Sequence, residues 1–356
     1  MCIGVSRLRR NVKGACYGRG VADDVLDVLE SAYRLEGDDE SWLAGIARVA
    51  QRHIDPRRKG VVGFFYQLGS DGTVTPGEVV SRDVPAEFAA LGGQIPLSLP
   101  PWYVRETFAR HPCASAAHAG SPRAQALART QMKESFAALG WRDLFVVNGL
   151  DPTGRGVYLA AGRRSTAPLP RAVQTRWTRV AVHLAAAWRL RRTLRDASAR
   201  DLDSAEAILS PTGKIEHAGE HARTRQARQA LAHAARTIER ARTPRGRRNG
   251  DRTVAEWTGL IAARWSLVDH FESDGKRFLV ARRNDVADAG RAELSPRELQ
   301  AVAFAALGHN NKLIAYEMGI VAETVRVLLH RAARKLGARD RDELIGRARL
   351  TFTPTL

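Results

Sequence analysis

Arg326, Val327, His330, Arg331 and Arg334 fall within nine residues near the C-terminus, all of them off the stripe Val325, Leu329, Ala332 and Leu336 that recurs at helical spacing. A helix divided in this way rests on a small core along one side and offers a basic side to a partner. Guanidinium and imidazole groups on that side donate hydrogen bonds and neutralise anions, so the chemistry is recognition rather than bond breaking. A charge run on a lone helix is ordinarily a solvated face. The neighbouring elements decide what this one means.

Those elements are written in capping residues. Ser295-Pro296-Arg297-Glu298 puts Ser at N-cap, Pro at N1 and Glu at N3, which predicts a helix over roughly 296–307, with Gly308 as its left-handed stop. Asn310 is the next N-cap, and Ile314, Ala315 and Met318 give a second helix its buried stripe before Gly319 breaks it. The third helix, with the basic side, runs from about Ala322 to Leu336. A short helix, a glycine turn and a second helix with basic and small apolar residues near its N-terminus fit the major groove, so double-stranded DNA is the expected partner.

These residues resemble the LuxR-type (GerE-type) helix-turn-helix of bacterial transcription regulators, from Leu294 to about Leu344. The family pattern L-[ST]-x-R-E, G-x-S-N-K-E-I-A, T-V-K-x-H and K-L-G-V stands here as Leu294 to Glu298, Gly308 to Ala315, Thr324 to Leu328 and Lys335 to Ala338. The resemblance implies that Arg326, Val327 and His330 face base edges, Arg suiting guanine O6 and N7 and Val a thymine methyl. Together with sidedness it implies phosphate contacts by Asn311, Lys312, Thr324, Arg331, Arg334 and Lys335.

Three positions depart from the pattern. Val321 stands where the recognition helix usually has a Ser or Thr cap, an expected cost of about 1 kcal/mol. Leu313 replaces the usual Glu, leaving Asn310 without a capping-box partner, and Leu328 replaces a common His beside the groove. After Gly337, Asp340 and Glu343 open a fourth helix carrying Leu344, Ile345 and Ala348. In LuxR-type proteins that helix often holds the dimer contact, so the resemblance implies a homodimer on an inverted-repeat operator, with RNA polymerase as a further candidate partner.

The whole chain of 356 residues suits two or three domains, and its 44% hydrophobic and 26% charged content is that of soluble globular protein. No stretch approaches a spanning length of apolar residues, and Met1 to Gly20 lacks the apolar core of a signal peptide, so a cytoplasmic protein with no membrane partner is expected. Three cysteines, Cys2, Cys16 and Cys113, fit a reducing compartment without a disulfide framework. His111-Pro112-Cys113 and His118 offer metal-ligand types, but no second cluster matches them; neither metal nor cofactor is expected.

The net charge of +18 lies mostly outside the reading head: residues 163–252 hold 21 Lys or Arg against 8 Asp or Glu, and residues 291–356 hold 11 against 7. Such a field either steers the chain toward DNA or coats solvated helices.

The remaining chain reads as an α+β arrangement of two small mixed modules ahead of an all-α four-helix head. Residues 1–20 read as a disordered basic N-terminus and 21–167 as a first module. Its helices carry Val25 to Leu29 and Trp42 to Ala50, and its strands run over Val61 to Leu68, Val74 to Val80, Trp141 to Gly149 and Gly156 to Gly162. Residues 168–200 form a long helix with a heptad seam of Val173, Trp177, Val180, Leu184, Ala187, Arg191 and Leu194, suited either to a connecting or dimerisation helix or to packing on the sheet.

Residues 201–283 give two hairpins around a helix, with a basic loop over Arg242 to Arg252; 284–293 read as a linker and 294–356 as the head. The first module resembles GAF-like domains and the second PAS-like ones, which implies sensing and a small-molecule ligand. Phe64, Tyr66, Trp102, Tyr103, Trp141, Phe145 and Tyr158 supply aromatic material that serves equally as core.

The expectation is a sequence-specific transcriptional regulator. A promoter-recognising sigma-like factor is one alternative, disfavoured by the strands upstream; an enzyme or ligand-binding module with a DNA anchor is the other. No phosphate loop, paired metal motif or G-x-S-x-G elbow marks a catalytic residue, so no catalysis is expected.

Overall fold

Val61-Val62-Gly63-Phe64-Phe65-Tyr66 has no polar position, the pattern of a strand covered on both faces. The computed structural model describes residues 25–55, 60–69, 71–86, 89, 94–95, 97–108, 110–194, 205–248, 253–255, 257, 265–271, 276–283 and 294–352. The expected disordered N-terminus (1–20) and linker (284–293) lie outside them.

Helices α1 (Leu26–Ala32) and α2 (Asp39–Ile54) precede the hairpin β1 (Val61–Leu68) and β2 (Val74–Arg82). There follow α3 (Pro101–Thr107), β3 (Cys113–Ser115), α4 (Pro122–Ser135), a second hairpin of β4 (Asp143–Leu150) and β5 (Arg155–Arg163), and the long helix α5 (Arg171–Thr193). The five strands pair antiparallel in the order β2-β1-β5-β4-β3. Val61 and Phe65 share a core with α1, α2 and α5, whereas Val62, Phe64 and Tyr66 share another with α3 and α4. The period of two along β1 sends alternate side chains to opposite covered faces.

A second sheet contains β6 (Ala207–Leu209), β7 (Ile215–Ala218), β8 (Trp265–Phe271) and β9 (Arg277–Arg283), antiparallel in the order β7-β6-β9-β8. Helix α6 (Arg225–Arg242) lays Leu231, Ala235 and Ile238 into a core continuous with that of α1, α2 and α5. The mixed α/β frame with antiparallel sheets is as expected from the sequence. Strand β3 was not foreseen: three residues after a Pro are too few to show an alternation.

The seam of α5 is used within the chain, since Trp177, Val180, Leu184 and Ala187 lie in the core against the first sheet. Gly149 permits this approach: a Cβ there would stand 2.6 Å from the Ala181 carbonyl oxygen. Arg191, the charged member of the seam, is buried but donates to Asp39 Oδ1 at 2.6 Å and to the Leu35 carbonyl at 2.9 Å. A buried guanidinium needs such partners.

The basic segment from Arg242 is a further correction, because its first residues are folded rather than loop. Arg242 ends α6 and a helical turn, Pro244–Arg247, follows it. Arg247 reaches Asp27 at 2.6 Å and Glu30 at 2.8 Å on α1, and Arg242 reaches Asp269 at 2.6 Å. Part of the positive excess is therefore paired inside the fold. No helix of the described residues is long and apolar enough to cross a membrane.

The C-terminal head contains α7 (Pro296–Ala306), α8 (Asn311–Met318), α9 (Ala322–Lys335) and α10 (Arg341–Phe352). Its own core joins Val302, Phe304, Ile314, Val325, Leu329 and Leu344, one or more from each helix.

Candidate nucleic-acid interface

Each helix of the head starts as its sequence dictates. Ser295 and Glu298 close a reciprocal capping box, Glu298 N–H donating to Ser295 Oγ at 3.3 Å and Ser295 N–H to Glu298 Oε2 at 2.8 Å. Asn310 Oδ1 accepts from Leu313 N–H at 2.9 Å, and Gly319 (φ 56°, ψ 43°) ends α8 in the left-handed region that turns the chain into α9. Val321 caps α9 with no side-chain hydrogen bond. Its φ of −80° and ψ of 154° already suit a capping residue, so Val321→Ser should raise stability by about 0.5–1 kcal/mol, read by urea denaturation. No gain would mean that another acceptor already satisfies the first turn.

Helix α9 presents Arg326, Val327, His330, Arg331 and Arg334 to solvent, with Val327 46% exposed despite its apolar side chain. Arg326, Arg331 and Arg334 form no ion pair among the described residues. The three base-reading candidates are thus brought together on one open face. Leu328 is a correction: it is buried with Val325, Leu329 and Ala332, so it sits in the core and not beside a groove.

The phosphate candidates divide. Lys312 is exposed and Thr324 half-buried in the first turns of α8 and α9. Asn311 Oδ1 accepts from Arg341 Nη1 at 2.6 Å, and Lys335 Nζ bonds Glu298 Oε2 at 2.7 Å, tying the end of α9 to the cap of α7. Burial penalises the Glu298 carboxylate, but Lys335 and the Ser295 amide and hydroxyl outweigh it and hold its pKa below the ordinary value.

Sequence reasoning missed the far side of the head. Leu313 and Tyr316 on α8 pack against Val182 and Ala186 on α5, and Leu307 packs against the core under α3 and α4. His183, fully buried, bridges Tyr33 Oη at 3.1 Å and Tyr316 Oη at 3.0 Å. Because Tyr316 Oη donates its proton to the Val254 carbonyl at 3.0 Å, it must accept from His183 Nε2–H, which leaves Nδ1 to accept from Tyr33. One hydrogen-bond chain so links α1, α5, the head and Val254.

Burial drives the His183 pKa down to about 3, which keeps the ring neutral. The departure at Leu313 was the available signal. An apolar residue in place of Glu belongs to this dock.

Capped helices, a left-handed glycine turn and an exposed basic helix define a helix-turn-helix domain, and residues 292–348 match the family GerE, described as bacterial regulatory proteins of the luxR family. Over 57 residues the chain is 53% identical to the HTH-type transcriptional activator RamA of Corynebacterium glutamicum. That segment covers 16% of this chain and 20% of the relative, so the likeness is one of heads.

Proposed function

We propose that the protein is a sequence-specific DNA-binding transcriptional regulator, acting by binding rather than catalysis, whose N-terminal modules govern a LuxR-type head. The observation that carries it is the open basic face of α9 on a capped helix-turn-helix core. Arg326, Val327 and His330 read base edges; Lys312, Thr324, Arg331 and Arg334 hold phosphates, helped by Asn311 and Lys335 once they exchange their intramolecular partners. A homodimer places two heads on half-sites about one helical turn apart in an inverted repeat.

The test is a genome-wide pull-down of DNA by the purified full-length protein, repeated with Arg326, Val327 and His330 each changed to Ala. An inverted-repeat motif that relaxes in those variants supports the reading. Salt-sensitive binding with no motif at all overturns it, because phosphate contact alone produces that behaviour.

Control by the N-terminal modules is supported by the dock, which leaves the reading face of α9 open while fixing how the head is held. Leu313→Glu sets a carboxylate against Val182 and Ala186 at a partly buried position and should release it, since a charge pressed on an apolar patch loses hydration. Faster amide exchange in α5 and α8 and at least a threefold change in operator affinity are expected. Faster exchange with unchanged affinity would mean that the dock governs nothing.

A further inference from the structure

Between the second face of the first sheet and α3 and α4 lies an apolar cavity of about 80 Å³ that opens to the surface. Its walls are aromatic: the Tyr158 ring stacks on Phe64 (4.8 Å, 25°) and on Phe108 (4.9 Å, 14°), and Phe136 stacks on Trp141 (5.4 Å, 17°). Gly162 makes the Trp141 wall possible, because a Cβ there would stand 2.1 Å from the indole.

Flat walls of this kind favour a planar ring, by offset stacking or edge contact. An engineered apolar cavity of ~150 Å³ takes up benzene, so this smaller space admits one ring seated partly in its mouth. Among the described residues no Asp, Glu, Lys or Arg lines it, so a charged ligand would give up its hydration with nothing in return.

Three polar groups of the lining residues are without hydrogen-bond partners among the described residues, one of them the buried Trp141 indole N–H. The other two are the Tyr158 hydroxyl and the Gln131 carboxamide. Burial, reinforced by the nearby Tyr103, pushes the Tyr158 pKa far up, so the hydroxyl stays protonated and able to donate. Groups of that sort in an apolar site fix the orientation of a ligand.

We propose that this cavity binds a neutral, single-ring aromatic molecule bearing a hydrogen-bond acceptor, which Tyr158 and Gln131 engage. The inference deepens the reading of the N-terminal modules as sensors, and as a signal it rests on that reading. Ligand-observed NMR on the full-length protein tests it with acetophenone, benzaldehyde, methyl benzoate and anisole as probes, and with benzoate and benzylammonium as charged counterparts.

Saturable binding of at least one neutral probe is expected, weakened about five- to tenfold by Tyr158→Phe, which removes only the hydroxyl. It should be abolished by Ala128→Phe, which fills the space. Absence of saturable binding by every neutral probe, equal binding of the charged ones, or indifference to Tyr158→Phe overturns the site. Operator affinity with and without the bound probe reads the other question. Binding that leaves operator affinity unchanged refutes the sensing role and leaves the site standing.

Discussion

Arg326→Ala should lower affinity by about 1–3 kcal/mol per half-site, roughly five- to 150-fold for each, and should relax base preference at a single position of each half-site. Arg326 is exposed in the second turn of α9 and has no acidic partner among the described residues, so its fork is free to bond guanine O6 and N7 together. Lys312→Ala is the contrast. A phosphate contact carries no sequence information, so its loss should weaken all sites alike and lower the salt slope of binding by about one per half-site. Competition binding against a library of single-base operator variants distinguishes the two. Equal losses on every variant for Arg326→Ala would move that residue from base edge to backbone.

Lys335 differs from these residues, because its ammonium bonds the capping-box carboxylate of Glu298. Its removal loosens α7 as well as any phosphate contact, so an affinity loss there mixes stability with binding. Arg331 and Arg334 carry no such double role among the described residues.

The head was legible in the sequence because its determinants are local. Ser295, Asn310 and Gly319 set helix ends within a turn of themselves, and the structure makes the bonds that their types predict. Leu328 was misread because the family pattern has a His at that place, which suggested a position beside the groove, whereas positions 325, 328, 329 and 332 are one buried stripe. The seam of α5 was read correctly as a covered face. Periodicity says that a face is covered but not by what, and here the cover is the chain's own sheet and, one face over, its own head.

The dock between α5 and α8 was only half legible for the same reason: the departure at Leu313 marks an apolar position, but Val182, its cover, is far away in sequence. The cavity beside Tyr158 depends on how rings from four segments stack, which no spacing rule encodes.

Acid should weaken the folded chain through His183. Its ring is wholly buried between Tyr33 and Tyr316, and burial lowers its pKa from the ordinary 6.5 to about 3. Because the folded pKa is depressed, the unfolded chain takes up a proton first. The stabilisation is complete above pH 6.5 and is lost progressively as pH falls toward 3. Between pH 7.5 and pH 5 the loss should be about 2 kcal/mol, one proton over one and a half pKa units.

The charged groups nearest the chain are Arg179 over the Tyr316 ring at 5.3 Å, Glu317 beside Tyr316, and Arg189 beside Tyr33. Both arginines stay cationic across this range and so cannot supply the slope. Urea denaturation of the wild type and of His183→Gln at the two pH values reads the effect, with each protein referred to itself. The variant should lose most of the difference; an unchanged slope would place the proton elsewhere. Since the Tyr316 partner belongs to the head, a released head lets water reach His183, and acid should then favour the undocked state by the same linkage.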